Sequence, residues 1–87
     1  MPNEILLYTA EWCPDCRRAR EFLDARGVEY QVVDLEGDPA AADRLVEATG
    51  KRGIPYLVVD GEWIAAYRPG GGAFPEQEIL KALGLPD

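Results

Sequence analysis

The sequence predicts an α/β fold, a mixed sheet of about four strands with helices on its faces, in the order βαβαββα. In the first half, apolar and β-branched runs flank a segment of helical spacing, which is the pattern of a parallel strand–helix–strand crossover. In the second half, an Asp-Gly pair at 60–61 separates two further strand-like runs, which is typical of an antiparallel hairpin. A sheet that combines both connections is mixed, with right-handed crossovers.

The first crossover is predicted over residues 4–35. Residues 4–9, Glu-Ile-Leu-Leu-Tyr-Thr, are mostly apolar and indicate a buried strand. Pro14 suits the first turn of the helix that follows, apolar residues recur in that helix at helical spacing, and Gly27 is a suitable end for it. Residues 29–35, Glu-Tyr-Gln-Val-Val-Asp-Leu, are rich enough in β-branched and aromatic side chains for a second strand.

The second half begins with a helix that the sequence marks clearly at both ends. Asp38 is a good N-cap, Pro39 follows it in the first turn, and Gly50 ends the helix. A loop with three consecutive glycines separates the hairpin from a last helix, which opens with proline and acid and ends with glycine. The predicted hairpin strands are residues 56–59 and 62–67, and the last helix is residues 75–84.

Length and composition limit the classes of protein to consider. The 87 residues, 9.6 kDa, suffice for one compact domain over 1–87, and 47% hydrophobic with 29% charged residues is a globular composition. Nine Lys and Arg against 16 Asp and Glu give a net charge of −7, which argues against binding nucleic acid or an anionic membrane. No apolar run is long enough to span a membrane, and we expect a cytoplasmic location.

The two cysteines, Cys13 and Cys16, carry the strongest functional signal. They are too close in sequence for a disulfide between them to stabilise the fold by closing a loop. Cys13 falls where the first strand ends and the first helix begins, and the backbone N–H groups and dipole at a helix N-terminus favour its thiolate form. Cys16 lies about one helical turn further on, where it is less exposed and can attack a mixed disulfide formed at Cys13. This predicts an attacking and a resolving thiol.

A Cys-x-x-Cys pair is also half of a metal-binding knuckle. A closed site needs about four ligands, and the chain has no histidine and no third cysteine, so we expect no metal within one chain. An iron–sulfur cluster shared by two protomers, through Cys13 and external thiols, is the alternative function, that of a cluster carrier. For the redox function we expect a monomer.

Two segments resemble the glutaredoxin branch of the thioredoxin fold, and the resemblance covers almost the whole chain. They are Cys-Pro-Asp-Cys at 13–16, after the first strand, and Thr-Gly-Lys-Arg-Gly-Ile-Pro at 49–55, before the hairpin. The resemblance implies a thioredoxin-like fold and a dithiol–disulfide oxidoreductase that reduces protein disulfides or protein–small-thiol mixed disulfides. The resemblance also implies that the protein binds no cofactor and uses glutathione or another small thiol as its co-substrate.

The resemblance is divided between subfamilies. Trp12 and the segment 37–43, Gly-Asp-Pro-Ala-Ala-Ala-Asp, resemble mycoredoxins. Tyr-Arg-Pro at 67–69 resembles a segment of the glutaredoxin-like hydrogen donors of ribonucleotide reductase, which take electrons from thioredoxin reductase. The expected partners are therefore disulfide-containing proteins, with a small thiol or thioredoxin reductase as the electron donor.

The family also implies a substrate site around Pro55. The corresponding proline is cis and lies beside the attacking cysteine, so we predict a cis Ile54–Pro55 bond. The N–H and C=O of Ile54 then pair with an extended substrate backbone. The resemblance places Lys51 and Arg52 where glutaredoxins bind the carboxylate of a tripeptide thiol, although two cations would equally suit a solvated loop after a helix.

The remaining binding residues are predicted around the thiols. Gly71 and Gly72 offer backbone groups at the position where glutaredoxins hold the other end of glutathione, although Ala73 and Phe74 replace the polar pair expected after them. We expect Trp12 to contact substrate because it precedes Cys13 in the chain. Trp12, Tyr56 and Phe74 are predicted to form an apolar rim, and the aromatics predicted to pack in the core or on the sheet are Tyr8, Phe22, Tyr30 and Trp63.

Overall fold

The computed structural model describes residues 3–68 and 73–85, and the predicted element order is confirmed. The strands are slightly shorter than the sequence predicts, because β2 begins at Gln31 and β4 ends at Ala65. The elements are β1 (Ile5–Thr9), α1 (Pro14–Ala25), β2 (Gln31–Asp34), α2 (Pro39–Thr49), β3 (Tyr56–Val59), β4 (Glu62–Ala65) and α3 (Glu76–Leu83).

The four strands form one mixed sheet in the order β2-β1-β3-β4. β1 pairs with β2 in parallel, and the β1–β3 and β3–β4 pairs are antiparallel. The parallel pair is the predicted crossover through α1, and the β3–β4 pair is the predicted hairpin. At its turn, Asp60 and Gly61 have φ values of 49° and 90°, the left-handed conformation that a tight hairpin turn requires and Asp-Gly tolerates.

Helices cover both faces of the sheet, and the alternation of β1 shows how. Ile5 and Leu7 point to one face, where they pack with α1 and α3, whereas Tyr8 points to the other face and packs with α2. The first core contains Ile5, Leu7, Ala19, Leu23, Val28, Leu57, Val59, Ala66, Ile79 and Leu83, and the second contains Tyr8, Ala41, Leu45, Tyr56 and Val58.

Local sequence signals explain the helix ends. Pro14 and Pro39 occupy the first turns of α1 and α2, where a missing N–H costs no helical hydrogen bond. The Asp38 carboxylate accepts the Ala41 N–H, and α2 ends at Gly50, whose φ of 76° suits glycine.

The sheet register brings the two predicted functional segments together. Tyr8 pairs with Tyr56, so the start of β3 lies beside the end of β1. Pro55 precedes Tyr56 and the cysteines follow β1, which places both segments at the same edge of the sheet. The Ile54–Pro55 peptide bond is cis, as predicted.

Candidate active site

Cys13 is the N-cap residue of α1. Its Sγ accepts a hydrogen bond from the Cys16 N–H at 3.3 Å, and its backbone is extended, with φ −89° and ψ 115°. The Cys13 N–H donates to the Ala10 C=O at 3.3 Å, which holds the approach to the helix. The Cys13 sulfur therefore lies where backbone N–H groups and the helix dipole stabilise negative charge.

Cys16 is more deeply buried than Cys13, with 0% of its surface exposed against 7%. Both are free thiols. Burial raises the pKa of the Cys16 thiol to about 11, and its hydrogen bond with Cys13 and the nearby Cys13 charge act in the same direction. Cys16 is thus a protonated thiol at neutral pH.

Thr9, at the end of β1, is a site residue that the sequence reading missed. It is 3% exposed, and its hydroxyl has no hydrogen-bond partner of good geometry within residues 3–68 and 73–85. The hydroxyl is close enough to Cys16 to lower that thiol's pKa, as does the backbone of Ala10. Strand alternation predicts only the face to which Thr9 points, which it shares with Ile5 and Leu7, towards α1.

Trp12 is 69% exposed beside Cys13 and borders a groove of about 230 Å³. The groove also contains Arg52 and Ile54, so it joins the start of α1 to the loop before β3. The Ile54 N–H and C=O make no backbone hydrogen bond with any residue that the structure describes. Apolar side chains form most of the lining, which consists of Ala10, Trp12, Leu35, Glu36, Ala42, Leu45, Arg52 and Ile54.

A second, smaller pocket of about 150 Å³ opens on the Cys13 side of Trp12. Arg17 is its cationic member and Glu11 its acidic one, and Pro14 completes the lining. Trp12 lies on both the groove and this pocket, so a bound segment that crosses Trp12 reaches both.

The loop before β3 is held by short contacts. The Thr49 hydroxyl lies 2.8 Å from the Leu45 C=O and 3.0 Å from the Lys51 C=O, and it accepts the Lys51 N–H at 3.2 Å. A Cβ on Gly53 would collide with the Tyr67 hydroxyl, so this glycine permits the close approach of Tyr67. Lys51 is exposed and does not line the groove, unlike Arg52.

The predicted aromatic rim is wrong for two of its three members. Tyr56 is buried on the α2 side of the sheet, because the alternation of β3 points it there, and it packs against Trp63. Phe74 is partly buried and packs against Phe22, with ring centroids 5.3 Å apart, at the margin of the first core. Gly71 and Gly72 lie outside the described residues.

The described residues contain no helix long and apolar enough to cross a membrane. Nor does this part of the chain bring together three or more His, Cys, Asp or Glu side chains that could hold a metal ion.

Known proteins share both the sequence pattern and the fold. Residues 5–64 match the glutaredoxin family model. Glutaredoxin 3 of Escherichia coli strain K12 is 31% identical over 58 residues, which cover 67% of this chain and 70% of that protein.

Two solved structures extend the comparison. The thioredoxin-like protein BC3987 superposes with a TM-score of 0.74 at 30% identity, over 91% of this chain and 99% of that chain. The glutaredoxin-like protein NrdH-redoxin from Escherichia coli, described as having a thioredoxin-like activity profile, has a TM-score of 0.66 at 26% identity, over 76% of this chain and 86% of that chain. The fold is thioredoxin-like, and the chain belongs to the glutaredoxin family, whose members are thiol–disulfide oxidoreductases.

Proposed function

We propose that this protein reduces protein disulfides, or mixed disulfides between proteins and small thiols, with Cys13 as the attacking thiol and Cys16 as the resolving thiol. The observation that carries the proposal is the Cys13 sulfur, which accepts the Cys16 N–H at the start of α1 while Cys16 stays buried and protonated. The two thiols thus differ in access and in burial, as the two roles require.

In the first step, the Cys13 thiolate attacks one sulfur of the substrate disulfide. A bond forms between Cys13 and that sulfur, the substrate S–S bond breaks, and the other substrate sulfur leaves as a thiolate. The Cys13 sulfur no longer carries a charge in this mixed disulfide. The Cys13 charge that raises the pKa of Cys16 is then gone, whereas the Thr9 and Ala10 contributions that lower it are still available.

In the second step, Cys16 loses its proton and attacks the Cys13 sulfur, which releases the second substrate sulfur. The substrate has gained two electrons. One proton from Cys16 and one proton from solvent convert its two sulfurs to thiols. The protein has lost two electrons and holds a Cys13–Cys16 disulfide. Two small thiols, or one reductase, then return the two electrons.

The groove beside Trp12 supports a binding role for the predicted residues. Ile54 contributes an N–H and a C=O that make no backbone hydrogen bond within residues 3–68 and 73–85, and these groups suit an extended substrate. Arg52 has a guanidinium that can hold a carboxylate by two hydrogen bonds. Glutathione is a co-substrate in the glutaredoxin family, and its carboxylates have the chemistry that Arg52 and Lys51 bind. Pro55 supports the loop that carries these groups. The binding of a small thiol by Gly71 and Gly72 stays a prediction. So do a monomeric state, a single domain over 1–87 and a cytoplasmic location.

The test is NADPH consumption coupled to reduction of a protein disulfide. One arm supplies glutathione with its reductase and the other supplies thioredoxin reductase alone. We expect Cys13→Ser to abolish turnover in both arms, and Cys16→Ser to lose reduction of protein disulfides while it keeps some removal of small thiols from proteins. Equal residual activity in the two variants would contradict the assignment of roles.

The two arms also identify the electron donor. Turnover only in the arm with glutathione and its reductase assigns Arg52 and Lys51 to binding of a small thiol. Turnover only in the arm with thioredoxin reductase favours the resemblance of residues 67–69 to the ribonucleotide-reductase donors. The cluster-carrier alternative stays an untested prediction, and a brown dimer from anaerobic purification would support it.

A further inference from the structure

The cationic side chains of this acidic protein are concentrated at the active site. Residues 11–18 and 51–54 contain four of its nine Lys and Arg residues and only two of its 16 Asp and Glu residues. The rest of the chain therefore has five cations against 14 acids. A substrate near the thiols meets a local charge very different from the net charge of −7.

Two arginines at this surface are not neutralised by the protein itself. Arg44 pairs with Asp38 at 3.5 Å and Arg68 with Glu78 at 2.6 Å. Arg17 and Arg52 form no ion pair with any of the residues that the structure describes. Among the residues that the structure describes, they are the only arginines that line the pocket and the groove on either side of Trp12.

The acids in the same cavities do not remove this binding capacity. Glu11 shares the small pocket with Arg17, and Glu36 shares the groove with Arg52, yet neither acid lies within 4 Å of its arginine in the described chain. Each guanidinium thus keeps its planar set of donors for an incoming carboxylate.

We propose that the substrate is a protein segment with carboxylates on both sides of its reacting cysteine, one held by Arg17 in the small pocket and the other by Arg52 in the groove. The segment crosses Trp12, which places its sulfur at Cys13. This inference rests on the proposed function and specifies its substrate class. A small thiol fills one of the two cavities, whereas an extended acidic segment fills both.

The experiment uses synthetic peptides with one cysteine in a mixed disulfide with 2-mercaptoethanol, which is neutral. The residue two positions before the cysteine and the residue two positions after it are each either glutamate or glutamine. The set therefore includes peptides with a glutamate at both positions, at one position and at neither. The fully reduced protein converts each peptide to its thiol, releases 2-mercaptoethanol and becomes the Cys13–Cys16 disulfide, so electrons balance without another reductant. The quantity measured is the second-order rate constant at low salt.

We expect the doubly acidic peptide to react several-fold faster than the glutamine peptide, because a partly exposed ion pair contributes up to about fivefold. Arg17→Gln should lower the ratio of the glutamate to the glutamine rate constant about threefold for peptides whose glutamate lies on one side of the cysteine. Arg52→Gln should lower the same ratio for peptides whose glutamate lies on the opposite side.

Arg18→Gln is the matched control. It removes the same charge from the next residue of α1, which is exposed but does not line the pocket, so it changes the long-range field equally. We expect it to leave the ratio unchanged. A ratio of one in the unmodified protein, or equal effects of Arg17→Gln and Arg18→Gln, would overturn the inference while reduction of the glutamine peptide still supports the proposed function. Failure to reduce any peptide would overturn both.

Discussion

The first turns of α1 and α2 have the same layout. In α1 the Cys13 sulfur accepts the Cys16 N–H at 3.3 Å, and in α2 the Asp38 Oδ1 accepts the Ala41 N–H at 3.3 Å. A proline follows the capping residue in both helices, and the third helical residue, Cys16 or Ala41, is fully buried in both.

The surroundings of the two caps differ. The Asp38 carboxylate pairs with Arg44, whose Nε also donates to the Tyr8 hydroxyl at 3.2 Å, so this helix start is tied to the core. Cys13 instead lies beside the exposed Trp12 and opens on a pocket. The same hydrogen bond at the helix start therefore serves both a structural cap and the cysteine motif. What makes α1 reactive is sulfur in place of oxygen, a second sulfur in place of a methyl group, and access for a substrate.

The largest expected effect separates the two caps by chemistry. Serine is a good N-cap, so Cys13→Ser and Asp38→Ser should each leave the free energy of unfolding nearly unchanged, to within about 0.5 kcal/mol. Cys13→Ser should abolish disulfide reduction, whereas Asp38→Ser should retain it. Urea unfolding and the coupled assay measure both quantities on both variants, and comparable loss of activity in the two would contradict the comparison.

A smaller effect is expected from the surroundings of Cys16, which have no counterpart at Ala41. Thr9→Val removes the hydroxyl that lowers the pKa of Cys16, so the pKa should rise and the resolving step should slow about tenfold. Stopped-flow release of the second product measures the step, and alkylation of Cys16 against pH reports its pKa. Thr9→Ser restores the hydroxyl and should recover both, whereas equal effects of Val and Ser would point to packing alone.

The smallest effect tests the structural cap. Asp38→Ala removes the acceptor of the Ala41 N–H and should lower the free energy of unfolding by about 1 kcal/mol without loss of turnover. Asp43→Ala is the control, because Asp43 is an exposed acid of the same helix away from its start. A similar loss of stability in both variants would mean that the charge, rather than the cap, stabilises α2.

The helix starts and the hairpin could be predicted because their causes are local. Proline, aspartate and glycine act on the residues beside them, and the predicted roles of Pro39, Asp38 and Gly50 all appear in α2. The resemblance to glutaredoxins implied that residues 51–55 lie beside the cysteines, and the antiparallel register of β3 against β1 is the physical reason that they do.

Residues whose role depends on packing across the sheet were harder to predict. Tyr56 was predicted to lie in the apolar rim, but the face it points to depends on the register of β3 against β1. Thr9 looks like an ordinary strand residue until α1 places Cys16 over it. Arg17 was not predicted as a binding residue, since that role depends on the pocket that Trp12 and Cys13 form with it.

The central claim is that the two thiols of one motif differ in access and that burial keeps Cys16 protonated, and alkylation followed by mass spectrometry tests it most directly. The fully reduced protein is treated briefly with iodoacetamide at neutral pH and at increasing pH, with an unfolded sample as the control for equal intrinsic reactivity. We predict that Cys13 alone is labelled at neutral pH, and that labelling of Cys16 increases only as the pH approaches about 11, where its thiol ionises. Equal labelling of both cysteines in the folded protein, or labelling of Cys16 first, would contradict the account.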